Sequence, residues 1–471
     1  DAKHDADAQG KFIRESARFP LTAVGDINTY AVFAETNRKL ISHNGRVGVI
    51  LPVGIATDDT TKKYFGDLIK KQSLTSLIGF ENEAFIFSSV HHAFKFCTLT
   101  LTGEKIKNTQ ANFIFFCKYF ADVNNSQRHF RLIPEEIALI NPNTLTCPIF
   151  RTRADAELTK NIYRRVPVLE NEQTDKNFWG ISFLSMFHMA NDSGSFKNEL
   201  GNGLLPLYEA KMFHQFDHRY STYEGATQAN LNAGILPQLS DEIKQNPNLA
   251  VKPRYWCDFK EVEKRLSDKS QKDWIISFRD VTNATSERTA IFSLLPKVAV
   301  GHKAPLIFLG INQQLLYLLF LANVNSLVLD YVARQKIGGT SLSYFILKQL
   351  PVIPPEAYTQ EDIEFISNRV LELVYTAYDM QPFAQDMGYD GEPFIWNPER
   401  RALLRAELDA YYAKLYGLTR DELRYILDPA DVYGADFPSE TFRVLKNNEI
   451  KQFGEYRTQR LVLAAWDKIF G

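Results

Sequence analysis

Asp26–Pro52, DINTYAVFAETNRKLISHNGRVGVILP, decides how the chain begins to fold. Tyr30, Phe33, Ala34, Asn37 and Leu40/Ile41 recur at spacings of three and four, the stripe of an amphipathic helix, with Asp26 placed as its N-cap. HNGR (His43–Arg46) is a turn that stops it. RVGVILP (Arg46–Pro52) is short and almost wholly apolar, as a strand buried on both faces requires. Working outward, Thr57, Asp58 and Asp59 offer a new helix start before TTKKYFGDLIKK (Thr60–Lys71). LTSLIGFEN (Leu74–Asn82) is a further strand. HAFKFCTLTLTG (His92–Gly103) is a longer, alternating one, and NFIFFCKY (Asn112–Tyr119) is expected beside it. Helix–strand alternation followed by consecutive strands predicts the second half of a doubly wound α/β sheet.

Turn formers in NPNTLTCP (Asn141–Pro148) predict a domain boundary near there. DAELTKNIYRRVPVL (Asp155–Leu169) then reads as a short helix. The run 224–250 reads as a polar loop. KPRYWCDF and WIISFRDVTNATSERTAIFSLLP read as strands, with FKEVEKRL as a charged helix between them. INQQLLYLLFLANVNSLVLDYVARQKI (Ile311–Ile337) reads as one long apolar helix, too polar at its ends to span a membrane. From Thr359 onward the pattern is helical, with Gly417 as a C-cap and Thr419/Glu422 as a capping box. The expected organisation is an α/β region over 1–148, a second α/β domain over 149–355 and a helical region over 356–471.

With 471 residues the chain is long enough for several domains and a large core. Its 34 Phe and 21 Tyr make aromatics the main packing material and leave some for contact surfaces. Cys97, Cys117, Cys147 and Cys257 are scattered without a CxxC pair, which argues against a zinc site or a disulfide scaffold and fits a reducing, cytoplasmic setting. The opening DAKHDADAQGKF has no initiator Met and reads as entry into a domain already under way. Net charge is −2, unevenly spread: residues 251–350 carry 14 Lys and Arg against 8 Asp and Glu, and residues 351–471 carry 13 against 21. A basic segment beside an acidic one suggests a polyanion-facing surface, although ordinary fluctuation reads the same way.

The motifs of common enzymes are absent. There is no G-x-G-x-x-G after a strand, no Walker A loop, no G-x-S-x-G elbow and no H-E-x-x-H. His91 and His92 stand before a strand with no partner ligands in the sequence nearby, a surface pair rather than a metal site. No catalytic, cofactor or metal residue is assigned in this chain. Three polar runs stand out instead. Tyr208–Tyr223, YEAKMFHQFDHRYSTY, packs five aromatics, two His, one Lys, one Arg and two carboxylates into one segment. Aromatic faces stack on bases and cations reach phosphates, yet a half-buried segment whose polar tips meet water reads as well. RDVTNATSERT (Arg279–Thr289) sets Arg and Asn, the readers of guanine and adenine edges, around one turn; the same turn reads as Asn and Thr satisfying their own backbone. ARQKIGGT (Ala333–Thr340) adds Arg334 and Lys336, which also suit a helix C-terminus.

The order GDINTYAVFAE, NGRVGVILP, HAFKFCTLTL resembles the later part of the methyltransferase domain of adenine-N6 DNA methyltransferases in fused restriction–modification enzymes (Type IIG and IIL), with their GR-x-G-x-I-x-P and KF-x-x-L-T-L strands. LPLYEAKMFHQFDHRYSTY, FRDVTNATSERTAIFSLLP and NSLVLDYVARQKIGGTSLSYFILKQLPVIPP resemble the target-recognition domain that follows. The last of these is also similar to the closing GG-x-x…L-P-x-P-P of Type I specificity subunits. LRAELDAYYAKLYGLTRDELRYILDP resembles the helical tail of long methylases, some of which serve phage defence.

The resemblance implies a partial doubly wound methyltransferase sheet, an α/β target-recognition domain and a helical tail. It implies double-stranded DNA as partner and S-adenosylmethionine as cofactor of the intact enzyme. The DNA contacts then expected are Lys211, His214, Gln215, His218 and Arg219, then Arg279, Asn283, Thr285 and Arg288, then Arg334 and Lys336. The family's Gly-rich methyl-donor motif and its Asn/Asp-Pro-Pro-Tyr/Phe motif do not occur; INPNTL, VIPPEA and WNPERR lack the Pro-Pro-aromatic core. Both motifs would lie before Asp1, so the chain alone is not expected to methylate, and the missing half, or a separate catalytic chain, is the expected protein partner. The alternative is a non-catalytic specificity or scaffold subunit that binds a separate methylase.

Overall fold

The computed structural model describes residues 2–92 and 94–471. Ala93, inside the stretch His92–Gly103, lies outside the described residues. The chain forms two compact units: Asp1–Asp175 with Gln335–Gly338 and Tyr433–Glu440, and Lys176–Arg334 with Gly339–Val432 and Thr441–Gly471. The division falls at Asp175/Lys176, not at 148/149, and the helical region 356–471 belongs mainly to the second unit.

In the first unit a helix α1 (Ala2–Glu15), unassigned from sequence, precedes α2 (Thr29–Leu40). Asn28, not Asp26, occupies the N-cap position of α2. Glu35 on its inner face is 1% exposed, and its Oε2 accepts from Thr22 Oγ1 (2.8 Å) and Leu21 N (3.2 Å), fixing the entry to the helix. Then follow β1 (Arg46–Pro52), α3 (Lys62–Lys70), β2 (Leu74–Glu81), β3 (Lys95–Thr102), β4 (Ala111–Cys117), β5 (Phe130–Leu132), α4 (Pro134–Ile140) and α5 (Arg153–Arg165).

The five strands form one mixed sheet in the order β1-β3-β2-β4-β5. β3 runs antiparallel between β1 and β2, and β4 pairs parallel with β2. NFIFFCKY therefore lies against LTSLIGFE and not beside KFCTLTLT. β1, β2 and β4 point one way and finish at the same end of the sheet. The centre is dry: Leu77, Leu99 and Phe113 are fully buried on one face and Ile114 on the other, beside Phe80 and Cys117, and Tyr64, Phe65 and Leu68 of α3 are buried as well. β1 is not buried on both faces. It has a strand neighbour on one side only among the described residues, and Ile50 is 59% exposed. Phe33 and Leu40 of the adjoining α2 are 66% and 76% exposed.

The second unit carries β6 (Ser182–Leu184), β7 (Leu204–Tyr208), β8 (Trp256–Asp258), α6 (Phe259–Leu266), β9 (Trp274–Phe278), β10 (Phe292–Pro296), β11 (Ala299–Val300) and β12 (Leu306–Phe308). An antiparallel sheet β10-β9-β12-β6 and a smaller sheet β11-β7-β8 share one apolar core around Phe187, Tyr208, Phe213, Leu295 and Leu306. The run 224–250 is ordered by two short helices and buries Leu236 and Lys244.

The long apolar helix is two helices, α7 (Leu316–Asn325) and α8 (Leu327–Arg334), bent by 50°. Ser326 is extended (φ −65°, ψ 151°), the Asn325 side chain bonds Phe292 N and O at 3.0 Å each, and Leu327 N donates to Asp409 Oδ1 (2.7 Å). Leu327 N, left without a helical carbonyl by the break, is thus satisfied, while the Asn325 side chain ties the bend to β10. No single helix among the described residues is long and apolar enough to cross a membrane, and every residue of α7 and α8 is buried.

α9 (Gln360–Val374), α10 (Pro398–Leu415), α11 (Arg420–Leu427), α12 (Arg443–Phe453) and α13 (Arg457–Phe470) complete the unit. Thr419 and Glu422 form the expected capping box, and Gly417 takes the left-handed φ of 74° that a C-cap needs. Tyr412 of α10 and Tyr416, which caps its end, donate to Leu319 O and Pro351 O at 2.7 Å, and Asn323 of α7 donates to Tyr416 Oη. These buried bonds weld the helical region onto α7 and the connection at Pro351, which is why it is not a separate tail.

Candidate nucleic-acid interface

At the end of the first sheet where β2 and β4 finish, two connections present an aromatic rim. Residues 82–94 expose Phe85 (56%), Phe87 (38%), Val90 (40%) and Phe94 (66%), and the residues after β4 expose Tyr119 (62%) and Phe120 (69%). Exposed aromatics at this density are unusual, because each leaves a large apolar area in water.

The rim is held in shape. Asn82, fully buried, donates from Nδ2 to Phe87 O (3.0 Å) and Val90 O (2.8 Å), and its Oδ1 accepts from Phe87 N (2.9 Å). Phe80 and Phe96, direct partners across β2 and β3, stack at 5.2 Å beneath the loop, and Phe87 and Phe120 meet them edge-on. One amide and a small apolar cluster thus fix the loop while its outer rings stay in water. Cations lie close by. Arg151 stacks 4.1 Å from the Phe116 ring centroid, Lys95 Nζ lies 5.4 Å from the same ring, and Lys118 pairs with Glu83 at 2.6 Å. Burial pushes the Lys95 ammonium pKa down, with Glu81 opposing. Phe116 adopts a left-handed φ of 61°, a conformation a bulky residue holds only when its surroundings enforce it.

The residues expected from sequence to touch DNA all lie in the second unit except Lys336. Most are spent inside the protein. Arg219 is fully buried, donating to Asn246 O (2.9 Å), Lys244 O (3.1 Å) and Thr376 O (2.9 Å). His218, 2% exposed, bonds Asp379 Oδ1 at 2.8 Å. Gln215 donates to Ala290 O (2.7 Å) and accepts from Arg405 (3.2 Å). Arg288 and Arg334 clamp the fully buried Asp330 through their Nε atoms at 2.7 and 2.8 Å; Arg334 also donates to Ala284 O, Glu287 O and Thr441 O. Lys336, in the first unit, donates to Ile140 O and Asn141 Oδ1, and burial holds its pKa well below the usual range. These six side chains take structural roles: they are buried and bonded to internal partners, with only Arg219 Nε left without one.

The others sit differently. Arg279 is half-buried, donates to Phe213 O and has its pKa pushed down to about 10 by burial. His214, half-buried against Tyr220, is held well below the usual histidine range by burial and the Arg279 and Arg405 charges, so it is neutral near pH 7. Lys211 is half-exposed, 3.7 Å from Glu209. Asn283 and Thr285 are exposed, and Asn283 Oδ1 accepts from Thr285 N and Oγ1 at 2.9 Å, a turn closing on itself. The structure therefore does not gather the expected contacts into one basic face. Tyr208–Tyr223 is instead a hub: besides Arg219, Asp217 pairs with Lys244 at 2.6 Å, and Phe216 O accepts from Arg401.

The rim was missed because its aromatics, in ENEAFIFSSVHHAF (Glu81–Phe94), follow neither a period of two nor one of 3.6. An aromatic-rich connection without periodicity between two clear strands was the available signal.

No protein-family model matches the sequence, and no curated protein matches it. Among solved structures, the Type IIG restriction endonuclease BpuSI is similar at 13% identity and a TM-score of 0.27, over 93% of this chain and 53% of that one. The Type IIL restriction–modification enzyme MmeI in complex with DNA gives 9% and 0.43, over 87% and 52%. The ATP-dependent Type ISP restriction–modification enzyme LlaBIII bound to DNA gives 9% and 0.37, over 79% and 28%. The chain thus spans about half the length, or less, of these structures.

Proposed function

We propose that this chain is the DNA-recognising portion of a site-specific adenine-N6 DNA methyltransferase of a restriction–modification or phage-defence system. Its first unit supplies the second half of the catalytic sheet. The observation that carries the reading is the rigid aromatic rim where β2, β4 and the RVGVILP strand finish. A fixed set of exposed rings suits a base taken out of the duplex, since stacking is worth about 1–3 kcal/mol per base. The resemblance of GRVGVILP and KFCTLTLT to methyltransferase strands gives the rim that context.

S-adenosylmethionine does not fit the described residues of the first unit. No strand there opens into a Gly-rich turn, and a Cβ at Gly54, which follows β1, would meet the Asp58 carboxylate. The methyl donor is therefore assigned to another segment or chain, and the transfer of the methyl group is not among the tasks of these residues.

The open side of β1 favours a second reading of the same chain, as a specificity subunit that docks a separate methylase along that strand. Both predict DNA binding. Selection of the chain against random duplexes, followed by sequencing and a salt titration, tests them together. An enriched sequence and an affinity that falls steeply with salt are expected. Failure to enrich any sequence, with a flat salt response, would remove both. Adding a methylase chain from the same source separates them: a stable 1:1 complex supports the specificity-subunit reading.

A further inference from the structure

The sequence holds two Asn-Gly pairs, Asn44–Gly45 in HNGR and Asn202–Gly203 in GNG. In such a pair the main-chain nitrogen of Gly reaches the preceding side-chain amide most readily, because Gly has no Cβ to hinder the approach. Both Asn are exposed and both stand in β-turns, but at different places in the turn.

Gly45 ends its turn. Its N–H is the turn's own donor, bonded to Ser42 O at 2.8 Å, and its carbonyl accepts from Gly103 N at 2.9 Å. A Cβ at Gly45 would meet Ser42 Oγ at 2.6 Å. The nitrogen that would have to attack Asn44 is thus committed and crowded. Asn202 and Gly203 are instead the central residues of a turn closed by Leu204 N on Gly201 O at 3.2 Å. That closing bond leaves the central N–H groups out of the ring, and neither Gly203 N nor the Asn202 side chain has a hydrogen-bond partner among the described residues. Gly203 takes a left-handed φ of 74°, and a Cβ there would meet nothing within 4 Å.

We propose that Asn202 is a self-modification site. Gly203 N forms a bond to Asn202 Cγ, the Cγ–Nδ2 bond breaks, and the Gly203 amide proton leaves with Nδ2 as ammonia. Water then opens the resulting succinimide: at the side-chain carbonyl it gives aspartate, at the main-chain carbonyl isoaspartate. No oxidant or reductant is consumed. Either product adds a negative charge. Isoaspartate also lengthens the main chain by a methylene directly before β7, where Phe259 N bonds Gly203 O at 2.8 Å. The reaction is independent of the DNA-binding reading.

Peptide mapping of the whole folded chain, after timed incubation in mildly alkaline buffer, tests it. The Asn202 peptide should gain the mass difference between water and ammonia, with main-chain fragment ions showing isoaspartate beside aspartate. It should convert about fivefold faster than the Asn44 peptide or more, because Gly45 must first give up at least one net hydrogen bond. In urea, where both turns are lost, the two pairs should convert at similar rates. Asn202→Gln, an exposed change whose longer side chain closes the ring poorly, should abolish the gain. No conversion at Asn202 in the folded chain while the unfolded chain converts, conversion of Asn44 as fast as Asn202 in the folded chain, or the same preference persisting in urea would overturn the proposal.

Discussion

Asp330→Asn tests whether the two buried arginines hold the fold or wait for DNA. Asp330 is fully buried and takes four contacts: Arg288 Nε at 2.7 Å, Arg334 Nε at 2.8 Å, and Thr289 N at 3.1 and 3.2 Å. Asn keeps one acceptor, enough for Thr289 N, but withdraws the charge from two arginines that have no other carboxylate within ion-pair distance among the described residues. Two charge-assisted bonds at about 1.5–3 kcal/mol each give a loss of about 3–6 kcal/mol, which agrees with the ~3–5 kcal/mol of breaking a buried pair. Against a typical total of about 5–15 kcal/mol, that is a large fraction.

The assay is urea unfolding followed by tryptophan fluorescence. All five tryptophans, Trp179, Trp256, Trp274, Trp396 and Trp466, lie in the second unit, so the signal reports that unit alone. Its midpoint should fall sharply in Asp330→Asn. Duplex affinity of Arg288→Ala and Arg334→Ala, measured where both remain folded, should equal that of the parent. A tenfold loss of DNA affinity in either, with an unchanged urea midpoint, would refute the burial argument and return both arginines to the duplex.

Asn82→Ala should leave Phe87 and Val90 carbonyls unsatisfied at about 1–3 kcal/mol each, read as faster hydrogen exchange at the Phe87 amide with little change in the second unit. Phe85→Ala and Phe94→Ala, at exposed rings, should each weaken binding to a duplex with one unpaired base by about 1–3 kcal/mol while leaving hydrogen exchange of the first unit unchanged; equal affinity would remove the rim from the interface. Asp217 is opposed by burial but held below the usual carboxylate range by Lys244 and Arg401. Its folded pKa is lower than its unfolded one, so its stabilisation is complete above the unfolded value near 3.8 and is lost as pH falls through the folded value. Asp217→Asn should therefore lower stability at pH 7 and flatten the acid limb; an unchanged acid limb would count against the pairing. Ile50→Lys, on the open side of β1, should cost little stability and should abolish any complex with a methylase chain that docks there.

Much of the first unit was legible because its signals are local. RVGVILP is a strand to the residue, LTSLIGFEN ends one residue early at Glu81 and HAFKFCTLTLTG is a strand only from Lys95 to Thr102; in the second unit, the capping box at Thr419 with the Gly417 C-cap is likewise a short-range pattern. Strand order was not legible: NFIFFCKY follows KFCTLTLT in sequence, yet β2 lies between them. Burial misled where it depends on neighbours. RVGVILP reads as a central strand and stands at an edge. Arg219, Arg288 and Arg334 read as cations facing a polyanion, but residues 25–157 positions away in sequence provide the carbonyls and carboxylates that enclose Arg219 and Arg288. Nothing in the composition of YEAKMFHQFDHRYSTY separates a hub from a contact surface. The difference lies in where Thr376, Asp379 and Arg401 arrive from.

The bend at Ser326 couples two timescales of folding. Residues 316–334 have the composition to form one continuous helix, which as a local structure forms in about a microsecond or less. Asn325 instead gives its side chain to Phe292 as a strand neighbour would, pairing with both its N–H and its carbonyl. That pairing exists only once β10 is in place, a non-local event and hence a slower one. The bent form of residues 316–334 therefore depends on a contact from β10, so a change in that strand is felt in the direction of a helix 24 or more residues away.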